Sequence, residues 1–148
     1  MKKRTGWIIT GSIVGALAVA IAIPVVLDFQ IEKTMYAIAD RFVPEPGWTL
    51  GGESASDHYQ CSGMTGPCDS FGRFYHVDVP LSRDELATKI SAAGWVGKVS
   101  GGCEPQPEAQ SQVLLCTAEG VTDGYRFTVQ LTESVGAEIL NVRLNKIP

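Results

Sequence analysis

The chain has 148 residues, a formal net charge of −4 and four cysteines. Beyond residue 41, seven basic side chains stand against thirteen acidic ones with no Lys/Arg cluster. This balance argues against a nucleic-acid backbone or an anionic lipid surface as partner.

Met1-Lys2-Lys3-Arg4-Thr5-Gly6 is basic, and Trp7 to Leu27 is an uncharged, mostly apolar run of 21 residues. As a helix it would span about 30 Å, the thickness of a bilayer's hydrocarbon core. The flanking charges, Lys2, Lys3 and Arg4 before and Asp28 and Glu32 after, predict a cytoplasmic N-terminus and an extracytoplasmic remainder. Ala20-Ile21-Ala22 has the small-x-small form of a cleavage site. Ile23 to Leu27 stay apolar beyond it, which fits a retained anchor. Gly11 and Gly15 form a GxxxG motif and make the run a candidate for homodimerisation. The expected organisation is a stub and transmembrane anchor over 1–27, a helical stem and linker over 28–47, and a folded domain over 48–148.

In the stem, Ile31, Met35, Ile38 and Phe42 recur at helical spacing until Pro44-Glu45-Pro46-Gly47 stops the pattern. Trp48 to Leu50 predicts a short strand that Gly51-Gly52 ends, and 53–70 reads as a loop. Phe71 to Val79 predicts a strand. Ser82-Arg83-Asp84-Glu85 has the form of a capping box and opens a helix over 83–93, with Gly94 as the residue after its end. Gln112 to Ala118, Tyr125 to Thr132 and Leu140 to Asn145 predict an antiparallel meander. Together these elements predict an α+β fold: the anchor helix, then a two-layer domain in which one helix packs on an antiparallel sheet.

All four cysteines, Cys61, Cys68, Cys103 and Cys116, follow the apolar run. An even count on the oxidising side of a membrane predicts two disulfides, Cys61–Cys68 and Cys103–Cys116 being the favoured pairing of the three possible. There is no Cys-x-x-Cys, and the six-residue gap between Cys61 and Cys68 does not suit a zinc site. No metal and no cofactor are expected.

Nucleophile and phosphate-binding motifs are missing from the sequence, so no catalytic residue is assigned. His58, His76 and Asp78 are the nearest approach to an acid/base set and would carry a small envelope hydrolase. A more distinctive constellation comes from joining the last two strands through a turn at 133–136. Arg126 then faces Arg143 and Thr128 faces Asn141, and like charges directly opposite call for an anion between them. Arg126, Arg143, Thr128 and Asn141 are therefore the candidate ligand-binding or partner-binding residues. A single anchor, a short stem and a disulfide-stapled module suit a bacterial cell-envelope protein. The leading expectation is a non-catalytic interaction module at the outer membrane face, holding an envelope protein or a small anionic ligand. A hydrolase or a membrane-helix oligomer is the alternative.

Overall fold

A computed structural model describes residues 30–56, 70–106, 111–134 and 137–147. Residues 30–39 form the first helix, α1. Six strands and a second helix follow: β1 (Thr49–Ser56), β2 (Ser70–Val77), α2 (Arg83–Ala92), β3 (Val96–Gly101), β4 (Val113–Thr122), β5 (Tyr125–Ser134) and β6 (Ala137–Lys146). The strands make one sheet in the order β1-β2-β6-β5-β4-β3, with every neighbouring pair antiparallel.

The expected fold class is corrected by this arrangement. The described residues form a mostly-sheet unit of six strands with two helices on it, in place of an anchor followed by a sheet with one packed helix. No helix among the described residues is long and apolar enough to cross a membrane, and the expected anchor at 7–27 lies outside them. Two causes account for the rest. The stem joins the domain because its apolar stripe has a core to enter: Met35, Ile38, Ala39 and Phe42 are all buried. The sheet is wider than expected because glycines continue strands where they read as breaks.

Gly97 and Gly120 show why. They face one another across β3 and β4, and a Cβ on Gly97 would lie 2.4 Å from the Phe127 ring. On Gly120 it would lie 2.1 Å from the Val96 carbonyl oxygen. The bare backbone leaves a trough that Phe127, fully buried, fills. In β1, Gly51 marks a register shift against β2, and the Phe74 ring lies over Gly51 and Gly52.

Both helices pack on one face of the sheet. Alternate residues of β5 and β6, Phe127, Val129, Leu131, Leu140, Val142 and Leu144, are buried under them. Trp95 sits 4.9 Å from Phe127 between ring centroids, and Phe42 stacks on Trp95 at 5.8 Å. Arg73 ties α1 to the sheet edge: its guanidinium donates to Asp40 Oδ1 at 2.9 Å and to Glu53 Oε2 at 2.9 Å. Burial works against its charge, yet the bonds to Asp40, Tyr75 and Glu53 hold its pKa above the ordinary arginine value.

The capping box is present as expected. Ser82 Oγ accepts from the Glu85 amide, and Glu85 Oε2 accepts from the Ser82 amide at 2.8 Å. Gly94 follows the helix with φ of +72°. The disulfide Cys103–Cys116 is formed, while Cys61, Cys68 and His58 lie outside the described residues.

Candidate functional site

Strand alternation sends every second side chain to the face that, among the described residues, carries no helix. From β5 this open face receives Arg126, Thr128 and Gln130, and from β6 Asn141, Arg143 and Asn145. Phe74 and His76 reach it from β2, Glu119 from β4, and Lys98 and Ser100 from β3. Arg126, Arg143, Lys98, Glu119 and His76 are exposed, whereas Thr128, Asn141 and Phe74 are half-buried.

The register differs from the expected one by two residues. Arg126 pairs with Asn145, Thr128 with Arg143 and Gln130 with Asn141. β5 runs to Ser134 and β6 starts at Ala137, so both strands run further than the polar turn signal suggests. A slip of two preserves which side chains share a face, so the four candidate residues stay together. The direct Arg126–Arg143 opposition does not survive. The two arginines are diagonal neighbours, at the about 7–8 Å typical of such positions.

One row crosses four strands in register: Arg143, Thr128, Glu119 and Lys98. The described face therefore holds three permanent cations and one carboxylate, although the domain is acidic. The acids Asp40, Glu45 and Glu53 are engaged on the helix side, with Arg73 and Lys89. Lys98 and Glu119 were not among the expected site residues because no strand was expected over 96–101 and the strand from Gln112 was expected to end at Ala118. The alternation of Lys98 and Ser100 around buried Val99 is the signal that marks that strand.

The acid/base set is not assembled among the described residues. His76 is exposed and meets the edge of Phe74 at 5.9 Å, and Asp78 is exposed beyond the end of β2. A groove of about 440 Å³ between α2 and β3 is lined by Arg83, Asp84, Ile90, Lys98 and others, without a His or Cys. Among the described residues, no group of three or more His, Cys, Asp or Glu is placed to hold a metal ion.

A second cluster lies on the helix side, at the far end of the β5–β6 hairpin. Glu133 and Glu138 face each other directly across the two strands. Glu133 is 4% exposed, and its Oε2 accepts from the Gln106 amide at 2.6 Å. Glu138 Oε2 is covered and has no hydrogen-bond partner. Burial, and then the charge of Glu133, push the Glu138 pKa above the ordinary glutamate value.

Comparison with protein-family models, with curated proteins and with solved structures finds no match to this chain.

Proposed function

We propose that this chain is a non-catalytic binding module of the bacterial cell envelope, held at the outer face of the membrane through residues 7–27. Its open sheet face takes up an acidic segment of a partner protein. The observation that carries this reading is the charge separation: Lys98, Arg126 and Arg143 gather on the sheet face that carries no helix among the described residues, in an acidic domain. Charge complementarity of this kind steers a partner and sets its orientation. Thr128, Gln130 and Asn141 sit among the cations and supply hydrogen-bonding groups that a backbone or carboxylate can use. The apolar run of the sequence ends only a few residues before α1 begins, which supports placement close to the bilayer.

A photo-cross-linking residue at Thr128 of the full chain, in intact membranes, tests the proposal, with the same residue at Asp84 on α2 as control. The expected result is an acidic protein captured from position 128 and not from 84. Capture disappears in the Arg126→Gln, Arg143→Gln double variant, whose melting temperature stays unchanged or rises. Capture that survives loss of both arginines overturns the proposal. So does capture of a second copy of this chain, or stabilisation by a small polyanion alone.

A further inference from the structure

A strand at the end of a sheet turns half of its backbone N–H and C=O groups away from its one partner. β3 is such a strand: among the described residues it pairs with β4 alone, and its other side is the sheet edge. Arg83 shows which groups point outward. Its Nη2 donates to the Val99 carbonyl oxygen at 3.1 Å, so that carbonyl faces α2 and not β4. In an antiparallel ladder, residues alternate between bonding the partner through both groups and turning both away. Gly97, two residues before Val99, therefore turns its groups outward as well. A Cβ on Gly120 would lie 2.6 Å from Gly97 Cα, the narrow approach of a facing pair that exchanges no hydrogen bond.

α2 and β3 enclose a groove of about 440 Å³ along this edge. Arg83, Asp84, Ala87 and Ile90 form its helix side, and Gly97 to Val99 form its strand side. Ala87 and Ile90 make part of the wall apolar. Arg83 and Lys98 outnumber Asp84, so the groove is net positive. Lys98 is exposed; it stands opposite Glu119 on its inner side and opens to the sheet edge on its outer side.

Natural sheets guard their edges with charges, proline or bulges. β3 carries one charge, Lys98, and no proline. The opposite edge strand, β1, is interrupted by the register shift at Gly51. Of the two edges, β3 is the one that offers outward backbone groups beside a groove.

We propose that the acidic segment taken up by this protein enters the α2–β3 groove as an extended chain and adds to the outer edge of β3, an inference that rests on the acidic-partner reading above. Its backbone bonds the outward groups of Gly97 and Val99. An N–H of the segment takes the Val99 carbonyl from Arg83, whose guanidinium then meets a carboxylate. Alternation divides the segment's side chains between two environments. Those on the helix side are small and apolar and lie against Ala87 and Ile90; those on the open side are acidic and stand beside Lys98. Backbone bonds supply affinity in such strand addition, and the alternate side chains supply selectivity. The partner's chemistry is thereby narrowed from acidic to alternately acidic and apolar.

The test adds a peptide of alternating Glu and Val, blocked at both ends, to the full chain in detergent micelles and follows amide exchange by NMR. Exchange at the Gly97 and Val99 amides is expected to slow when the peptide is present. Two further peptides carry N-methyl groups, one at every Glu and the other at every Val. One of them is expected to bind about tenfold more weakly, because its N–H groups toward β3 are gone, while the other binds as before. Binding that tolerates both methylations overturns the proposal. Binding that leaves Gly97 and Val99 unprotected, yet is abolished by Arg126→Gln with Arg143→Gln, overturns it and leaves the acidic-partner reading standing. A peptide that binds neither face overturns both. Gly97 and Val99 amides already protected without peptide, by a second copy or by another segment of this chain, also overturn the edge proposal. The exchange and methylation readings use the unsubstituted protein, so they do not depend on how a variant folds.

Discussion

Ser82 and Glu85 illustrate how much a pair of side chains contributes to an element. Ser82→Ala removes the acceptor for the Glu85 amide and is expected to lower stability by about 1 kcal/mol in thermal unfolding. Hydrogen bonds from Ser82 hold the Glu85 pKa below its ordinary value. A carboxylate of this kind stabilises above its unfolded pKa and stops doing so as pH falls through the folded one. The gap between wild type and Ser82→Ala should therefore narrow in strong acid, as paired melts at neutral and low pH would show. Gly120 sets a different limit. An alanine methyl there meets the Val96 carbonyl oxygen, so β3 must move off β4. Gly120→Ala is expected to cost about 2 kcal/mol or more in denaturant unfolding, well above the helix-cap variant.

At the scale of elements, the disulfide and α1 each close a part of the molecule that the sheet alone would leave loose. Cys103 and Cys116 are separated by 13 residues. Replacing both with serine should lower stability by about 3 kcal/mol in urea unfolding, on the chain-entropy model. Phe42→Ala removes a fully buried ring between Trp48 and Trp95 and is expected to cost about 3–5 kcal/mol. If the 28–47 stem that contains α1 and Phe42 were independent of the domain, that substitution would leave the domain's melting temperature unchanged.

The elements also show what a sequence can and cannot convey. The alternation from Tyr125 to Leu131 and from Leu140 to Leu144 identified two strands and their buried faces. Ser82-Arg83-Asp84-Glu85 identified the start of α2 to the residue. The β5–β6 register was not recoverable in the same way, because a two-residue slip leaves every side chain on the same face. β3 escaped for another reason. Its two glycines and exposed Val96 hide the pattern, and the ring that makes Gly97 necessary comes from Phe127, thirty residues away in sequence. The four candidate residues were found together on one face, yet their partner Lys98 stayed out of view until β3 was in place.

For the molecule as a whole, charge separation is the property with the widest consequence. The sum is acidic, but the described open face is basic, so the acidic partner proposed above would be drawn to that face. Raising salt from about 0.1 M to about 1 M shortens the Debye length from about 10 Å to about 3 Å. Association with the partner captured at Thr128 should then slow by about tenfold, measured by surface-plasmon or stopped-flow kinetics. Arg126→Gln with Arg143→Gln should flatten that salt dependence.

The strand order has a consequence in time. β3, β4, β5 and β6 follow one another as neighbours, so each can pair as soon as the next is available. β2 is different, because on its inner side it pairs with β6, some seventy residues further along the chain. Until Ala137–Lys146 arrives, the β1–β2 hairpin and its contacts with α1 have no meander to join. The long-range closure of this seam is where loop entropy weighs most, and it is the step expected to limit the folding rate. A chain threaded across a membrane from its N-terminal end would therefore wait, half assembled, for its last strand.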